Sequence, residues 1–445
     1  MKQTVISIIM IIQVLSASAG GFLTNTNQSI MFLGNPARQA SIGVDGVYYN
    51  PAGVAFMADG FHLSFNWQRV HQHRDSWSGY DKLFAANFSN PTTAETDFRR
   101  KFKGRVNVPI QPSLFLSYNK CSWSFQFGFG FIGGGGECEF KEGLGSFEAL
   151  VGSMGMKTLG NSFGGYSLDS YLDGRSYDLG FTLTAAKRLS DHLSISAGVR
   201  TIYATNNYTG YLKNIKYRMI TSDGSSIIES PNSYELNCAQ SGVGVAPIVG
   251  IDYRPNRYVN FAAKYEFKTR MRVESEAENN EAFNNLAQSQ PAFAGYLDGA
   301  KTDCDMPGLL TLGAQVSPMD ELRLSIGYHH YFDVDTKQWN RNLLGDTNEF
   351  AVGAEYDICK AVDVSAGYQK TMYDQKAANL SDASFCLDSY SFGFGVGVDV
   401  SPIVKLHAAY FQTNYKDYNK VTNEPSDITF SRTNTVIGLG VEVNF

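Results

Sequence analysis

The sequence predicts an all-β fold: a fourteen-stranded antiparallel transmembrane β-barrel. Three observations predict it. Long stretches alternate with a period of two and keep one face almost free of charge. An export leader is followed by no apolar helix. Connections alternate between short turns and long loops. The composition of the 445 residues agrees: charged residues are 18%, aromatics 13% and glycines 43 in number, against roughly 25% charged in a soluble domain. A mean hydropathy of −0.21 argues against a bundle of membrane helices. It suits a barrel, in which half of each strand meets lipid and half meets the lumen. The net charge of −6 offers no basic field for nucleic acid.

The leader comes first along the chain. Lys2 precedes an apolar run from Val5 to Leu15, broken only by Ser7 and Gln13, and Ala17-Ser18-Ala19 supplies a small-x-small cleavage site. Residues 1–19 read as a secretory signal peptide. No later run of 18 apolar residues follows, so an exported chain of this kind crosses a bilayer as a closed barrel. This places it in the outer membrane of a Gram-negative envelope.

Strands are predicted near 61–72, 109–120, 122–133, 174–190, 193–212, 233–254, 258–275, 306–317, 322–338, 347–358, 362–374, 389–401, 404–420 and 429–445. Trp123, Phe125, Phe127, Phe129 and Phe131 share one face, and Ser124, Gln126, Gly128 and Gly130 the other. Phe392 to Val400, Val259 to Phe267, Leu322 to Tyr328 and Ile437 to Phe445 repeat the pattern. A β-sandwich would alternate too, with its apolar face inward. Short turns are predicted at Asn119-Lys120, Ser190-Asp191-His192, Arg254-Pro255-Asn256, Ser317-Pro318-Met319, Cys359-Lys360 and Ser401-Pro402. Long loops fall at 133–173 and 275–305. Short periplasmic turns and long outer loops are the outer-membrane arrangement.

Residues 20–58 do not alternate. They carry Gly34-Asn35-Pro36-Ala37 and Tyr49-Asn50-Pro51-Ala52-Gly53, and Asn-Pro marks a turn. A segment of this length suits a periplasmic tail or a plug, for which glycine-rich inner faces leave room. The barrel itself then occupies 59–445.

These features together resemble the FadL/TodX family of outer-membrane transporters of long-chain fatty acids and other hydrophobic compounds. The residues that carry the likeness are Gly21-Phe22 after the leader, Asn50-Pro51-Ala52, Tyr177-Asp178-Leu179-Gly180-Phe181, Leu193 to Arg200, and the terminal Phe445. The resemblance implies fourteen strands, residues 20–58 as a hatch in the lumen, and lateral release of ligand through a wall opening beside a kinked strand. It also implies that Phe445 is read by the barrel-assembly machinery. Some relatives carry basic residues just after Tyr-Ala of the fifth strand. Here that stretch is Tyr203-Ala204-Thr205-Asn206-Asn207, which keeps neutral hydrophobic compounds open as ligands.

Moving such a ligand needs apolar surfaces, because each CH₂ held in water costs roughly 0.8 kcal/mol. Leu144, Phe147, Leu150, Val151 and Met154 recur at helical spacing and offer an outer landing surface, as do Phe283 and Leu286 with Phe293, Tyr296 and Leu297. Packing of the two loops on each other would use the same residues. A ligand carboxylate needs a basic partner. Arg200 and Lys264 are the inward candidates, with Arg323, and lumenal Glu266, Glu355 or Glu442 are their alternative partners. The run Gly133 to Gly136 suggests a hinge. No Gly-Lys-Ser/Thr follows it, so it is no phosphate loop.

Six cysteines, at 121, 138, 238, 304, 359 and 386, allow fifteen pairings. Cys138, Cys238, Cys304 and Cys386 fall toward the outer side. No Cys-x-x-Cys is present. His71 with His73 and His329 with His330 are weak metal candidates, and no metal or cofactor is expected. No hydrolase signature is present, and the chain reads as a transporter, acting as a monomer, rather than an enzyme. A carrier or assembly component for exported proteins, built on the same barrel, is the alternative function.

Overall fold

The computed structural model describes residues 26–78, 84, 86–89, 100–337, 344–375, 380–420 and 428–445. The stretch read as a signal peptide, residues 1–19, lies outside the described residues. Eighteen described strands form one antiparallel sheet, closed where β1 (Gly60–Ser78) pairs with β18 (Ile428–Asn444). Between them come β2 (Arg100–Lys120), β3 (Trp123–Phe140), β4 (Phe163–Arg188), β5 (Leu193–Thr221), β6 (Gly224–Glu229), β7 (Tyr234–Asn256), β8 (Val259–Glu266) and β9 (Arg272–Ala277). The second half holds β10 (Lys301–Asp303), β11 (Gly308–Met319), β12 (Leu322–Phe332), β13 (Leu344–Cys359), β14 (Val362–Gln375), β15 (Ser389–Ser401), β16 (Val404–Tyr415) and β17 (Tyr418–Lys420). The short strands β6, β9, β10 and β17 extend the loop end of their neighbours. The other fourteen are the staves of a closed barrel. Among the described residues no helix is long and apolar enough to cross a membrane.

The burial pattern is that of a membrane barrel. Phe61, Phe65, Leu183, Val243, Ile326, Phe394 and Leu439 are exposed on the outer wall, while His62, Ser64, Asn66, Gln68, Ser194 and Asn260 are buried inside. A sandwich would bury the first set and expose the second.

Each predicted strand is present; 389–401 has the predicted bounds and the others have one or both ends moved. The expected loop 133–173 is cut from both sides, since β3 runs to Phe140 and β4 starts at Phe163. The loop 275–305 likewise loses residues to β9 and β10. Strand 258–275 breaks at 267–271, where the register against β7 slips by one residue. The turn at Ser190-Asp191-His192 is where it is predicted, and the other five sit one to three residues later. Pro255 and Pro318 fall in register shifts of the ladder, between Tyr253 and Asn256 and between Val316 and Met319. A proline without an N–H is tolerated in such an irregularity, and the pairing resumes beyond it. The first turn is Cys121-Ser122, both at positive φ (50° and 69°), which is the geometry of a tight hairpin.

Residues 26–57 occupy the lumen. They form a short helix α1 (Ile30–Gly34), a single turn α2 (Gly46–Tyr49) and a 3₁₀ turn Gly53–Phe56. Ser29 caps α1, accepting from the Phe32 N–H at 3.0 Å. Inward side chains around the barrel hold the segment. Asn27 donates to Gln68 of β1 (3.1 Å), and Gln126 of β3 donates to the Pro51 carbonyl (2.8 Å). Ser194 of β5 donates to the Ala52 carbonyl (2.6 Å), Asn50 to Asp252 of β7 (2.5 Å), and Asn260 of β8 to the Ala40 carbonyl (2.7 Å). Gln39 meets His329 of β12 (3.2 Å), and Asn35 donates to Glu355 of β13 (3.0 Å). Arg38 links Asp45 (2.9 Å) to Glu355. The backbone comes close to the wall where the wall has no side chain: a Cβ on Gly393 would collide with the Leu33 carbonyl, and one on Gly327 with Gln39.

Candidate functional site: a wall gap and the cavity behind it

Among the described residues the longest interruption of the barrel ladder lies between β2 and β3. Pairing runs from Lys120↔Trp123 to Leu114↔Phe129, stops, and resumes at Val106↔Cys138. Residues 107–113 of β2 and 130–137 of β3 therefore face each other unpaired, over roughly 20 Å of strand. Two local causes are visible in the sequence. Pro109 and Pro112 cannot donate to a ladder. Gly134 and Gly136 take φ of 81° and 74°, a left-handed conformation that β-branched residues do not tolerate. The result is a double register shift of β3 against β4, between Phe131 and Gly133 and between Gly133 and Gly136. The glycine run is thus a fixed kink in β3.

Gln28 closes this gap from the lumen. Its side-chain amide donates to the Phe131 carbonyl of β3 (2.8 Å), and its own carbonyl accepts from Ser113 of β2. One residue of the N-terminal segment thus bonds to both edges of the gap.

Behind Gln28 lies a cavity of about 170 Å³. Its apolar side is formed by Phe32, Val70, Val108, Phe131 and Phe411 beside the glycine run, and its polar side includes Gln72, Gln369, Thr371 and Arg432. The cavity is therefore amphipathic rather than uniformly apolar. Glu349 also lines it. This carboxylate is held by Gln369 (2.7 Å), Thr371 (2.8 Å), Tyr331 (2.9 Å) and His329 (3.1 Å).

The predicted cationic pair does not line this cavity. Arg200 and Lys264 are both buried and share one carboxylate: Arg200 Nη1 is 2.5 Å from Glu266 Oε2, and Lys264 Nζ is 2.6 Å from Glu266 Oε1. Both cations also lie over the Tyr48 ring, at 4.8 and 4.9 Å, and Lys264 donates to the Tyr48 carbonyl (2.7 Å). Arg323 pairs with Glu355 (3.2 Å) and Asp357 (2.6 Å). These cations tie the lumen together by ion pairing, the alternative that lumenal glutamates offered. Asn50 of Asn50-Pro51-Ala52 has the structural task described above, on Asp252.

The predicted landing residues are not an exposed surface. Helix α3 (Gly145–Leu159) buries Phe147, Leu150 and Val151, with Leu144 at its N-cap, and Met154 is partly buried. Helix α4 (Glu281–Ser289) buries Phe283 and Leu286. All of them join one apolar cluster with Phe293, Tyr296, Leu212 and Ile215. A second cluster, of Phe84, Phe102, Leu380, Phe385, Leu387, Ile428 and Phe430, lies beside α3 through Ala149. The loops pack on each other because stripes of this length are more stable buried than wet. Polar ties fix the cap: Ser146 N–H donates to Asp382 (2.8 Å), and Glu148 accepts from Asn87 (3.1 Å) and Tyr166 (3.0 Å). Asp333, in the 3₁₀ turn after β12, accepts from Thr347 N–H (3.1 Å), and burial pushes its carboxyl up to about 7.

The six cysteines are free thiols. His71 and His73 face each other on the outer wall at 3.1 Å, and no metal-holding cluster of His, Cys, Asp or Glu occurs among the described residues. The side chains that sequence reading passed over are Gln28, Arg38, Arg74, Asp252 and Arg432. Strand parity was the available signal for the wall residues among them. No sequence signal marks Gln28, because its role depends on where the segment meets the gap.

No family model matches the chain, and no curated protein matches it. Solved structures match over nearly its whole length. A FadL homologue of Pseudomonas aeruginosa shares 14% identity with a TM-score of 0.65, covering 96% of this chain and 100% of its own. The toluene transporter TodX of P. putida shares 14% with a TM-score of 0.57, covering 91% and 94%. The toluene transporter TbuX of Ralstonia pickettii shares 15% with a TM-score of 0.55, covering 93% and 100%. The class defined by closure, strand number and apolar exterior is the fourteen-stranded membrane barrel. Within that class the chain has the fold of the FadL/TodX-type channels.

Proposed function

We propose that this chain is an outer-membrane transporter of hydrophobic compounds, long-chain fatty acids or hydrocarbons, that releases its cargo sideways through the wall between β2 and β3. The observation that carries this reading is the unpaired gap at 107–113 and 130–137, backed by a part-apolar cavity and bridged from the lumen by Gln28. A greasy solute leaving there enters lipid directly and never meets bulk water, which saves roughly 0.8 kcal/mol per CH₂. Residues 20–58 act as the hatch: withdrawal of Gln28 opens the gap. The loop cluster around Phe147, Leu150, Phe283 and Leu286 takes the cargo first by parting, since its apolar side chains are buried at rest. Phe445, exposed at the barrel's end, serves assembly.

The test is a reversible lock. Gln28→Cys with Ser113→Cys, in a background of cysteines replaced by serine, ties the hatch to β2. Cells carrying the oxidised pair should take up labelled oleate or toluene at the level of cells lacking the protein, and reductant should restore uptake. Uptake that ignores the lock would overturn lateral release past Gln28.

A further inference from the structure

We propose that the outer end of the wall at β1 and β2 binds the phosphate groups of a phosphorylated glycolipid in the outer leaflet. This rests on the outer-membrane placement in the transport reading and is independent of what is carried.

Strand parity turns the odd-numbered residues of β1 outward. Phe61, Leu63, Phe65 and Trp67 come first from the short-turn end, and no charge stands among them. Beyond them the same face carries Arg69, His71 and His73, all exposed. On β2, Lys101, Lys103 and Arg105 stand opposite Trp77, Asp75 and His73 in the ladder and share that face. On β18 the change falls at the same level. Leu439 and Ile437 are exposed, Ile437 is opposite Arg69, and Thr435 and Thr433 then stand opposite the two histidines. A charge facing lipid is costly at the bilayer midplane and costs little near the interface. The residues from Arg69 onward therefore mark the headgroup level. The long loops lie at this end of the strands, so the leaflet is the outer one.

The balance of charge selects the partner. Asp75 is the carboxylate within the patch, and it takes Lys101 at 2.8 Å and Arg105 at 2.6 Å. Arg69 and Lys103 make no ion pair among the described residues. Other exposed cations toward the loop end have their acids: Arg175 with Glu137, Lys213 with Glu235, Lys216 with Glu229 and Arg272 with Asp303. On β3 the face turns acidic at Glu139, opposite Arg105, which bounds the patch on that side. Unmatched cations at headgroup level attract the anions of the membrane itself. A guanidinium takes a phosphate through two parallel hydrogen bonds, and an ammonium takes it as a point charge. Trp77, with Lys101 Nζ 5.4 Å over its ring, is the kind of aromatic that sits among headgroups. Toward the midplane, exposed Phe65 and Ile437 are left to the acyl chains. The patch also borders the wall gap, because residues 107–113 follow Arg105 on β2. A glycolipid held here lies beside the exit.

The experiment uses the full chain in neutral detergent, with diphosphoryl lipid A and lipid A stripped of its phosphates as probes and thermophoresis of the labelled protein as the readout. Wild type should bind the phosphorylated form roughly tenfold or more tightly. That preference should shrink as salt is raised from about 0.1 M to about 1 M. Arg69→Gln with Lys103→Gln should lose most of the preference while binding the stripped lipid as wild type does. Lys213→Gln with Lys216→Gln, on β5, should keep it. A shift of gel mobility on heating reports that each variant is folded. Equal wild-type affinity for the two forms, or an equal loss in both variant pairs, overturns the site. Phosphatidylglycerol bound as tightly as diphosphoryl lipid A overturns the glycolipid assignment. Density fractionation of the cell envelope reads the placement separately. A chain found outside the outer membrane removes the placement and the site together, whereas equal affinities in a chain found there remove the site alone.

Discussion

Replacing Glu266 by glutamine should destabilise the barrel by about 3–5 kcal/mol, the usual penalty for removing one partner of a buried ion pair. The geometry selects this position. Glu266 is 5% exposed and serves two cations, Arg200 at 1% and Lys264 at 4%. Each oxygen of its carboxylate takes one of them, at 2.5 and 2.6 Å. Glutamine keeps the shape and removes the charge, so two cations remain beside the Tyr48 ring with no counter-charge. The carbonyl of Tyr48 and the hydroxyl of Thr182 still accept from Lys264 and Arg200, which places the cost near the lower end of the range. About 3 kcal/mol is roughly two orders of magnitude in the folding equilibrium. The assay is reversible urea unfolding of the full chain in lipid vesicles, read by tryptophan fluorescence. Lys264→Met should cost less in the glutamine background than in wild type, with a coupling of about 0.5–3 kcal/mol. A Glu266→Gln variant within 1 kcal/mol of wild type, additive with Lys264→Met, would refute the shared-carboxylate description (the threshold being about the scatter of exposed pairs).

Three other outcomes follow from the same structure. The Asp333 carboxyl is raised to about 7 from about 4 in an unfolded chain. Its contribution is therefore fully present below pH 4 and lost as the pH rises through 7, and Asp333→Asn should flatten stability between those limits in a pH series of unfolding midpoints. Gly134→Val places a β-branched residue at φ 81°, where its Cβ would meet the Ser176 carbonyl. A cost of about 1–3 kcal/mol should appear as a lower unfolding midpoint together with reduced uptake; unchanged uptake would separate the kink from transport. Leu150→Ala removes a side chain 5% exposed in the outer cap and should cost about 2–5 kcal/mol locally. Limited proteolysis should then cut near α3 sooner than in wild type, and an unchanged cutting rate would mean the cap is not held by this cluster.

The sequence by itself determined the barrel. A period of two with a nearly uncharged face has one stable solution once an export leader and the lack of an apolar helix are added, and the even strand number follows from the count of alternating stretches. It singled out Gly133 to Gly136 as a hinge, but that this run is a kink standing opposite Pro109 and Pro112 in an interrupted ladder came from the strand pairing. Tertiary structure alone decided what the lumen does. Alternation says that Arg200, Lys264 and Arg323 point inward, but not which carboxylate each meets, because partners come from strands far apart in sequence: Arg200 reaches Glu266 across 66 positions. The apolar stripes of α3 and α4 are equally legible as stripes, but whether they face water depends on the opposing loop, which no local pattern encodes. Gln28 is the extreme case. A polar residue in an irregular segment becomes the closure of the wall only because Ser113 and Phe131, 85 and 103 positions away, leave hydrogen-bonding groups there that no strand pairs.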